Sequence, residues 1–246
     1  MNIRNVKFFS SRIMKEILRD PLSIAFGAGF PIVLIVLLSL INKNIPNGLF
    51  DITFLVPGVT IFGLSFLALF AAQIIAKDRE SAFITRLFTT PMKAWDFILG
   101  YTLPLLPLAL LQAVICYITG MFFGLQLNIH TVVVLLLVIP ASFIFIAIGL
   151  ICGTAFSEKA ATALCGAALT NLSAWLSGVW FDLNLVGGAF KKMAYLLPFV
   201  HAVDMTKAAN TGDYTNVLPH LWWVLAYSIV FIVLGVYLFR RHMKNK

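Results

Sequence analysis

Charge is what this chain has least of. Only 11% of its 246 residues are Asp, Glu, Lys or Arg, while 61% are hydrophobic; soluble domains carry about a quarter charged residues. The mean hydropathy is +0.96. No polar stretch is long enough to fold by itself in water. The chain is therefore expected to be one all-α integral membrane domain over residues 1–246. The nucleotide signature G-x-x-x-x-G-K-S/T is missing, and the nearest cluster, Gly187-Gly188-Ala189-Phe190-Lys191-Lys192, has the wrong spacing. H-E-x-x-H and G-x-S-x-G are missing too. The four histidines (His130, His201, His220, His242) are scattered, so no metal, cofactor or catalytic residue is nominated. Cys116, Cys152 and Cys165 form no C-x-x-C pair and read as packing residues inside apolar segments. The apolar runs hold essentially no Asp, Glu, Lys or Arg away from their ends. That argues against an ion-driven pump or channel, whose coupling groups sit inside the membrane.

What the chain does have is six apolar segments. They run over about Leu22–Asn42, Phe54–Ala76, Phe97–Phe123, Thr131–Phe156, Ala160–Phe181 and from near Pro219 to the residue before Arg240. Each is about long enough to cross ~30 Å of hydrocarbon at ~1.5 Å per residue. Gly27-Ala28-Gly29 with Pro31 points to close packing and a bend in the first, Pro104 and Pro107 to a kink in the third, and Gly149-x-x-x-Gly153 to a close helix approach in the fourth. The stretch Asp182–Leu218 contains a shorter apolar piece, broken by Pro198 and followed by Asp204 and Lys207. It suits re-entrant or interfacial helices better than a span.

Residues 1–19 form a basic amphipathic helix. Ile3, Val6, Phe9, Ile13, Met14 and Ile17 share one face, with Arg4, Arg12, Lys15 and Arg19 opposite; Phe8 alone breaks the pattern. Such a helix is expected to lie in the headgroup plane with its apolar face down. A signal peptide does not fit, because the apolar run that follows is too long and lacks a cleavage site. The net charge of +8 is orientation charge rather than a nucleic-acid surface. Fourteen of the eighteen lysines and arginines fall in the N-terminal arm, Lys77–Lys93, Lys159 and the tail after Phe239. The positive-inside rule then puts both termini and the charged loop in the cytoplasm.

Two patterns stand out as candidate sites. In the fifth segment Asn171, Ser173, Trp175, Ser177 and Trp180, with Thr170, form a polar and aromatic series. Residues 170, 173, 177 and 180 fall at helical spacing; the series reads as a helix interface glued by small hydroxyl residues or as a wall of a transport pathway. Between the second and third segments, Lys77, Asp78, Arg79 and Glu80 lead a short amphipathic helix with Phe83, Leu87 and Phe88 as its apolar face, ended by Thr90-Pro91. This stretch is a docking surface for a cytoplasmic partner or a solvated loop that fixes topology.

With its flanks, that loop resembles the permease subunits of ABC exporters of the ABC-2 type, especially the drug-resistance (daunorubicin-exporter-like) branch. There, an R-E-R-E-x-G-x-x-x-x-L-x-x-T-P run followed by I-L-G joins the second and third spans. This chain has Lys77-Asp78-Arg79-Glu80, Leu87, Thr90-Pro91 and Ile98-Leu99-Gly100 in that order, preceded by Val56-Pro57-Gly58. Ser177-Gly178-Val179-Trp180-Phe181 and Leu197-Pro198-Phe199 through Val203-Asp204 are similar to the family's later patterns. Ser81, Asp182, Leu197 and Lys207 depart from the usual glycine, proline, asparagine and arginine.

The resemblance implies six transmembrane helices, an N-terminal amphipathic interfacial helix, and short re-entrant helices between spans five and six. It also implies a second permease half, as a homodimer, and a separate ATP-binding cassette subunit that binds ATP and Mg. The coupling helix would use Lys77, Asp78, Arg79, Glu80, Phe83, Arg86, Leu87 and Phe88 within a loop over 77–96. Arg4, Lys7, Arg12, Lys15 and Arg19 would flank it or touch lipid headgroups. The implied setting is a prokaryotic plasma membrane. The implied cargo is a hydrophobic or amphipathic molecule, with a polysaccharide or glycolipid exporter, or a membrane-embedded lipid enzyme, as alternatives.

Overall fold

Hydrocarbon offers no partner to backbone amides and carbonyls, so a chain this apolar has to satisfy them within helices. The computed structural model describes residues 3–43, 50–81 and 94–244, and every element among them is helical. Helix α1 (Ile3–Leu18) precedes α2 (Pro21–Ile24), which passes through a π-helical turn (Ala25–Gly29) into α3 (Phe30–Asn42). Then come α4 (Ile52–Glu80), α5 (Ala94–Met121) and α6 (Ile129–Ala155). A further helical run is made of α7 (Glu158–Ala163), a second π turn (Leu164–Leu169) and α8 (Thr170–Leu176). Short helices α9 (Leu183–Val186), α10 (Gly188–Tyr195) and α11 (Pro198–Thr211) lead to the long α12 (Tyr214–Lys244).

Among the described residues five helices are long and apolar enough to cross a membrane: Ala25–Asn42, Ile52–Glu80, Trp95–Met121, Ile129–Ala155 and Tyr214–Arg241. The sequence led us to expect six. The run from Glu158 to Leu176 is helical but outside this set, because Glu158, Lys159, Thr170, Asn171 and Ser173 dilute its apolar content. It also stops at Leu176 rather than near 181, because Gly178 takes a left-handed φ of 71° just beyond. Helix α5 runs unbroken through Pro104 and Pro107. The last helix starts at Tyr214, before Pro219.

Helix α4 is the axis of the molecule. Its apolar window is 83% buried, against 17% for the first span and 22% for the last. Gly149 and Gly153 let the α6 backbone lie on it: a Cβ at Gly149 would sit 2.4 Å from the Ala68 carbonyl, and one at Gly153 2.6 Å from that of Ala72. This is the close approach that the glycine spacing predicts, made against a small-residue stripe. The two π turns flank α4 at one depth. A Cβ on Gly27 would meet the Phe70 ring at 2.9 Å, and one on Gly166 would meet Leu69 at 3.4 Å.

The two ends differ in chemistry. At one, Phe97 of α5 takes Phe9 of α1 edge-on and Phe239 of α12 at a tilt, with centroids 5.8 and 5.6 Å apart, so the first and last helices come to the same ring there. Glu158, at the start of α7, also lies at this end, bonded to Glu80. At the far end, Lys207 of α11 donates to the Gly178 carbonyl at 2.6 Å. Asn210 bridges Thr53 of α4 and Tyr117 of α5 there.

Candidate functional site

Lys77, Asp78, Arg79 and Glu80 do not open a separate helix; they are the last turn of α4, closed by Ser81. Four consecutive residues at 100° steps point in four directions, and each side chain finds a different neighbour. Asp78 is buried and takes a two-pronged bond from Arg12 of α1, at 2.6 and 2.7 Å, plus the Tyr101 hydroxyl of α5 at 2.9 Å. Lys77 pairs with Glu16 of α1 at 3.0 Å, and Glu16 in turn holds Arg12 at 3.0 Å. The hydrogen bond from Arg12 to Asp78 is the main reason its guanidinium pKa is raised.

Arg79 reaches the end of α6. It donates to the Thr154 carbonyl at 2.6 Å and to the Phe156 carbonyl, carbonyls that the helix itself leaves without partners. Glu80 accepts the Glu158 amide at 2.8 Å, which puts a carboxylate on the amino end of α7, where the helix dipole favours it. Adjacent residues of α4 thus cap both sides of the turn between α6 and α7. One helical turn ties α1, α4, α5, α6 and α7 together.

The amphipathic face of α1 is real, but what it covers differs from expectation. Val6, Phe9, Ile13 and Ile17 are buried against the protein's own helices rather than laid on lipid, with Phe9 edge-on to Tyr101 at 4.9 Å. Gly100 makes room, since a Cβ there would sit 2.2 Å from the Phe9 ring. Lys7, Lys15 and Arg19 are exposed, as is Phe8; the side chain of Arg4 lies outside those described. Phe83, Arg86, Leu87 and Phe88, with Thr90-Pro91, also lie outside the described residues. Sequence reasoning missed Glu16, Tyr101 and Glu158. Of these only Glu16 left a signal, four residues after Arg12 on one helix.

The polar series of the fifth segment does not form one wall. Ser173 and Ser177 are buried, and Ser173 donates to Thr170 at 3.0 Å. Asn171 and Trp175, one turn apart, face outward; Asn171 is bonded to Ala167 and Trp175 stands beside Phe181. Trp180 lies beyond the helix end, edge-on to Phe62 of α4 at 5.4 Å, so it is out of phase with the helical spacing.

The far end holds the other polar concentration. His201 of α11 is stacked on Trp223 and bonded through Nδ1 to His220 at 2.9 Å and through Nε2 to the Tyr195 carbonyl at 3.1 Å. Because Nε2 donates to that carbonyl, Nδ1 of neutral His201 accepts from His220. The Tyr195 hydroxyl donates to Asp204 at 3.0 Å. Tyr195 and Asp204, with Lys207, Trp180, Phe54 and Asp182, border a cavity of about 430 Å³. Among the described residues no group of three or more His, Cys, Asp or Glu stands together as a metal site.

Burial pushes the His201 pKa below its usual 6.5; the His220 charge pushes the same way, and the Tyr195 carbonyl and Asp204 push against it. Below 6.5 the unfolded hairpin binds a proton that the folded one refuses, so this stability is complete above 6.5 and lost as pH falls through the folded value. Asp204 has the opposite sign, because burial raises its pKa and acid then favours the folded form. The expected result is a fall in amide protection factors, the ratio of intrinsic to observed exchange rate, across α10 and α11 on moving from about pH 7.5 to about pH 5.5, with the step flattened in His201→Gln. Protection factors that do not change with pH in the wild type would refute it.

A family model described as "ABC-2 family transporter protein" matches residues 42–237, well over half of the chain and everything from α4 to near the end of α12. No curated protein matches the chain.

Proposed function

This chain belongs to the ABC-2 transporter family, a multi-pass membrane component, and we propose that it is the permease subunit of an exporter in the drug-resistance branch. The family normally works with an ABC ATPase. In this reading ATP and Mg are bound by that separate subunit, and residues 82–93, with Phe83, Arg86, Leu87 and Phe88, dock in it. Lys77, Asp78, Arg79 and Glu80 then serve behind the docking surface, as the bolt that passes its displacement on.

The observation that carries the reading is that bolt. A loop pushed by a partner hangs from a helix end whose four charges are fixed to four other elements, so a displacement of the loop reaches α1, α5, α6 and α7 together. The run Glu158–Leu176 is the sixth crossing. Its support is that Glu158 touches the Glu80 end of α4 while Gly178 touches Lys207 at the opposite end. An even number of crossings agrees with α1 and α12 both reaching Phe97 at one end. That end faces the cytoplasm by its basic charge, and α9–α11 lie on the outer side as short re-entrant helices. Two identical chains pair, in a prokaryotic plasma membrane. A cavity between them with little charge favours an amphipathic or hydrophobic cargo.

Copurification tests the reading. Wild-type protein from gently cross-linked membranes of its native cell is expected to bring down an ABC ATPase, and Phe83→Asp or Arg86→Glu to lose it about tenfold or more, as for hot-spot residues at an interface. Unchanged recovery with both variants would move the docking surface elsewhere. A wild type that recovers no ATPase would remove the exporter reading.

A further inference from the structure

The end of the molecule away from the basic arm collects the opposite charge. Its cavity of about 430 Å³ is bordered by three carboxylates, Asp51 at the start of α4, Asp182 before α9 and Asp204 of α11, against one ammonium, Lys207. Each carboxylate keeps one oxygen without a hydrogen bond among the described residues. Asp51 accepts the Thr53 amide on Oδ1, Asp182 accepts from Asn184 on Oδ1, and Asp204 accepts the Tyr195 hydroxyl on Oδ2. Lys207 does not neutralise them. Its ammonium is turned to the Gly178 carbonyl at 2.6 Å and makes no ion pair among the described residues.

Much of the remaining wall is aromatic: Phe50 and Phe54 from the start of α4, Trp180 and Phe181 from the turn after α8, and Tyr195 from the end of α10. Neighbours hold these rings in place. Trp180 is edge-on to Phe62 at 5.4 Å, and Phe181 has Trp175 at 6.1 Å and Phe190 at 6.3 Å. The Tyr195 ring already attracts a cation, with Lys191 Nζ 5.7 Å from its centroid. Among the described residues no three of His, Cys, Asp or Glu stand close enough together to hold a metal ion. The carboxylates therefore surround the space without converging on one point. Such walls suit a cation wider than a metal ion, and the volume falls in the ~300–1,000 Å³ range of small-molecule pockets.

We propose that this cavity binds a quaternary ammonium cation, its methyl groups against the aromatic rings and its charge balanced by Asp51, Asp182 and Asp204. A neutral molecule of the same shape would pack on the rings equally well but would leave the carboxylates to repel one another. A calcium ion would need about six to eight oxygen ligands at once, which carboxylates spread around a ring-lined space do not supply. Burial raises the Asp204 pKa and lowers that of Lys207, so Asp204 in particular gains from a cation at its side. The trimethylammonium group is shared by free solutes of the choline type and by choline lipid headgroups. The site stands on these residues alone and does not depend on the exporter reading.

Titration calorimetry on the full chain in dodecyl maltoside, whose head groups are uncharged, compares choline with 3,3-dimethylbutanol, the same shape with carbon in place of the charged nitrogen. Choline is expected to bind about tenfold tighter or more. Asp51→Asn with Asp182→Asn should weaken choline about three- to tenfold and leave dimethylbutanol unchanged, and asparagine keeps both helix caps. Lys207→Gln, which removes the opposing charge, should tighten choline. Glycerophosphocholine separates the two sources: binding tighter than choline assigns the site to a lipid headgroup, binding weaker assigns it to a free cation, and either supports a quaternary ammonium site. Equal binding of choline and dimethylbutanol to the wild type would overturn the proposal even if no variant folds. So would displacement of choline by calcium at equal concentration, or a choline affinity unchanged in the double asparagine variant.

Discussion

Asp78→Ala is expected to release the N-terminal helix from the bundle and to lower stability by about 2–3 kcal/mol. A fully buried ion pair broken on one side costs about 3–5 kcal/mol. Here the figure is smaller because the Arg12 side chain is 37% exposed and recovers water when its partner goes. The Tyr101 hydroxyl, buried with its ring 1% exposed, has no such relief and adds the cost of an unmet donor. The measurement is thermal unfolding in detergent together with limited trypsin digestion, and new cleavage is expected at Lys7, Arg12, Lys15 and Arg19. Arg12→Lys should show a weaker form of the same effect, because an ammonium cannot make the two-pronged contact. A melting temperature and digest identical to wild type would mean that α1 is held by its apolar face alone.

The second large effect belongs to the α4–α6 contact. Gly149→Ala puts a methyl 2.4 Å from the Ala68 carbonyl and 2.7 Å from the Ala71 Cβ, and Gly153→Ala puts one 2.6 Å from the Ala72 carbonyl. Backbone cannot step aside as a flexible side chain can, so the helices must part. Each substitution is expected to cost about 1–3 kcal/mol, as overpacking does. The pair should cost less than the sum, since a gap opened by the first already accommodates part of the second. Parting also draws Thr154 and Phe156 away from Arg79, so both variants should loosen the turn before α7 and quicken amide exchange there. Full additivity would show that the two glycines act independently.

How much of this was legible in the sequence depends on what kind of signal each residue leaves. The buried face of α1 was legible, because Val6, Phe9, Ile13 and Ile17 recur at helical spacing, although the pattern does not say whether lipid or protein covers them. Gly149 and Gly153 were legible for the same reason: a small residue every turn has one use between helices in lipid. The run Lys77–Glu80 misled. Four charges in a row look solvated, and nothing local reveals that Tyr101, Glu16 and two carbonyls of α6 lie within reach. Trp180 was assigned to the wrong face by carrying helical spacing through Gly178, whose left-handed conformation ends that run.

The two π turns have a mechanical consequence. Each holds one residue more than the α-helical ladder needs, and passing that surplus residue along the helix turns everything on one side of it by about 100°. The charged end is a rigid plate, bolted through α4. The first span and the run before Leu176 are where the backbone has slack, and both have it at the level of Leu69 and Phe70. Both lie against α4, one at Phe70 and the other at Leu69, about 100° apart around it. Torque applied at the plate finds its least resistance there, so the two outlying helices can swivel while the ladder of α4 between them stays unbroken.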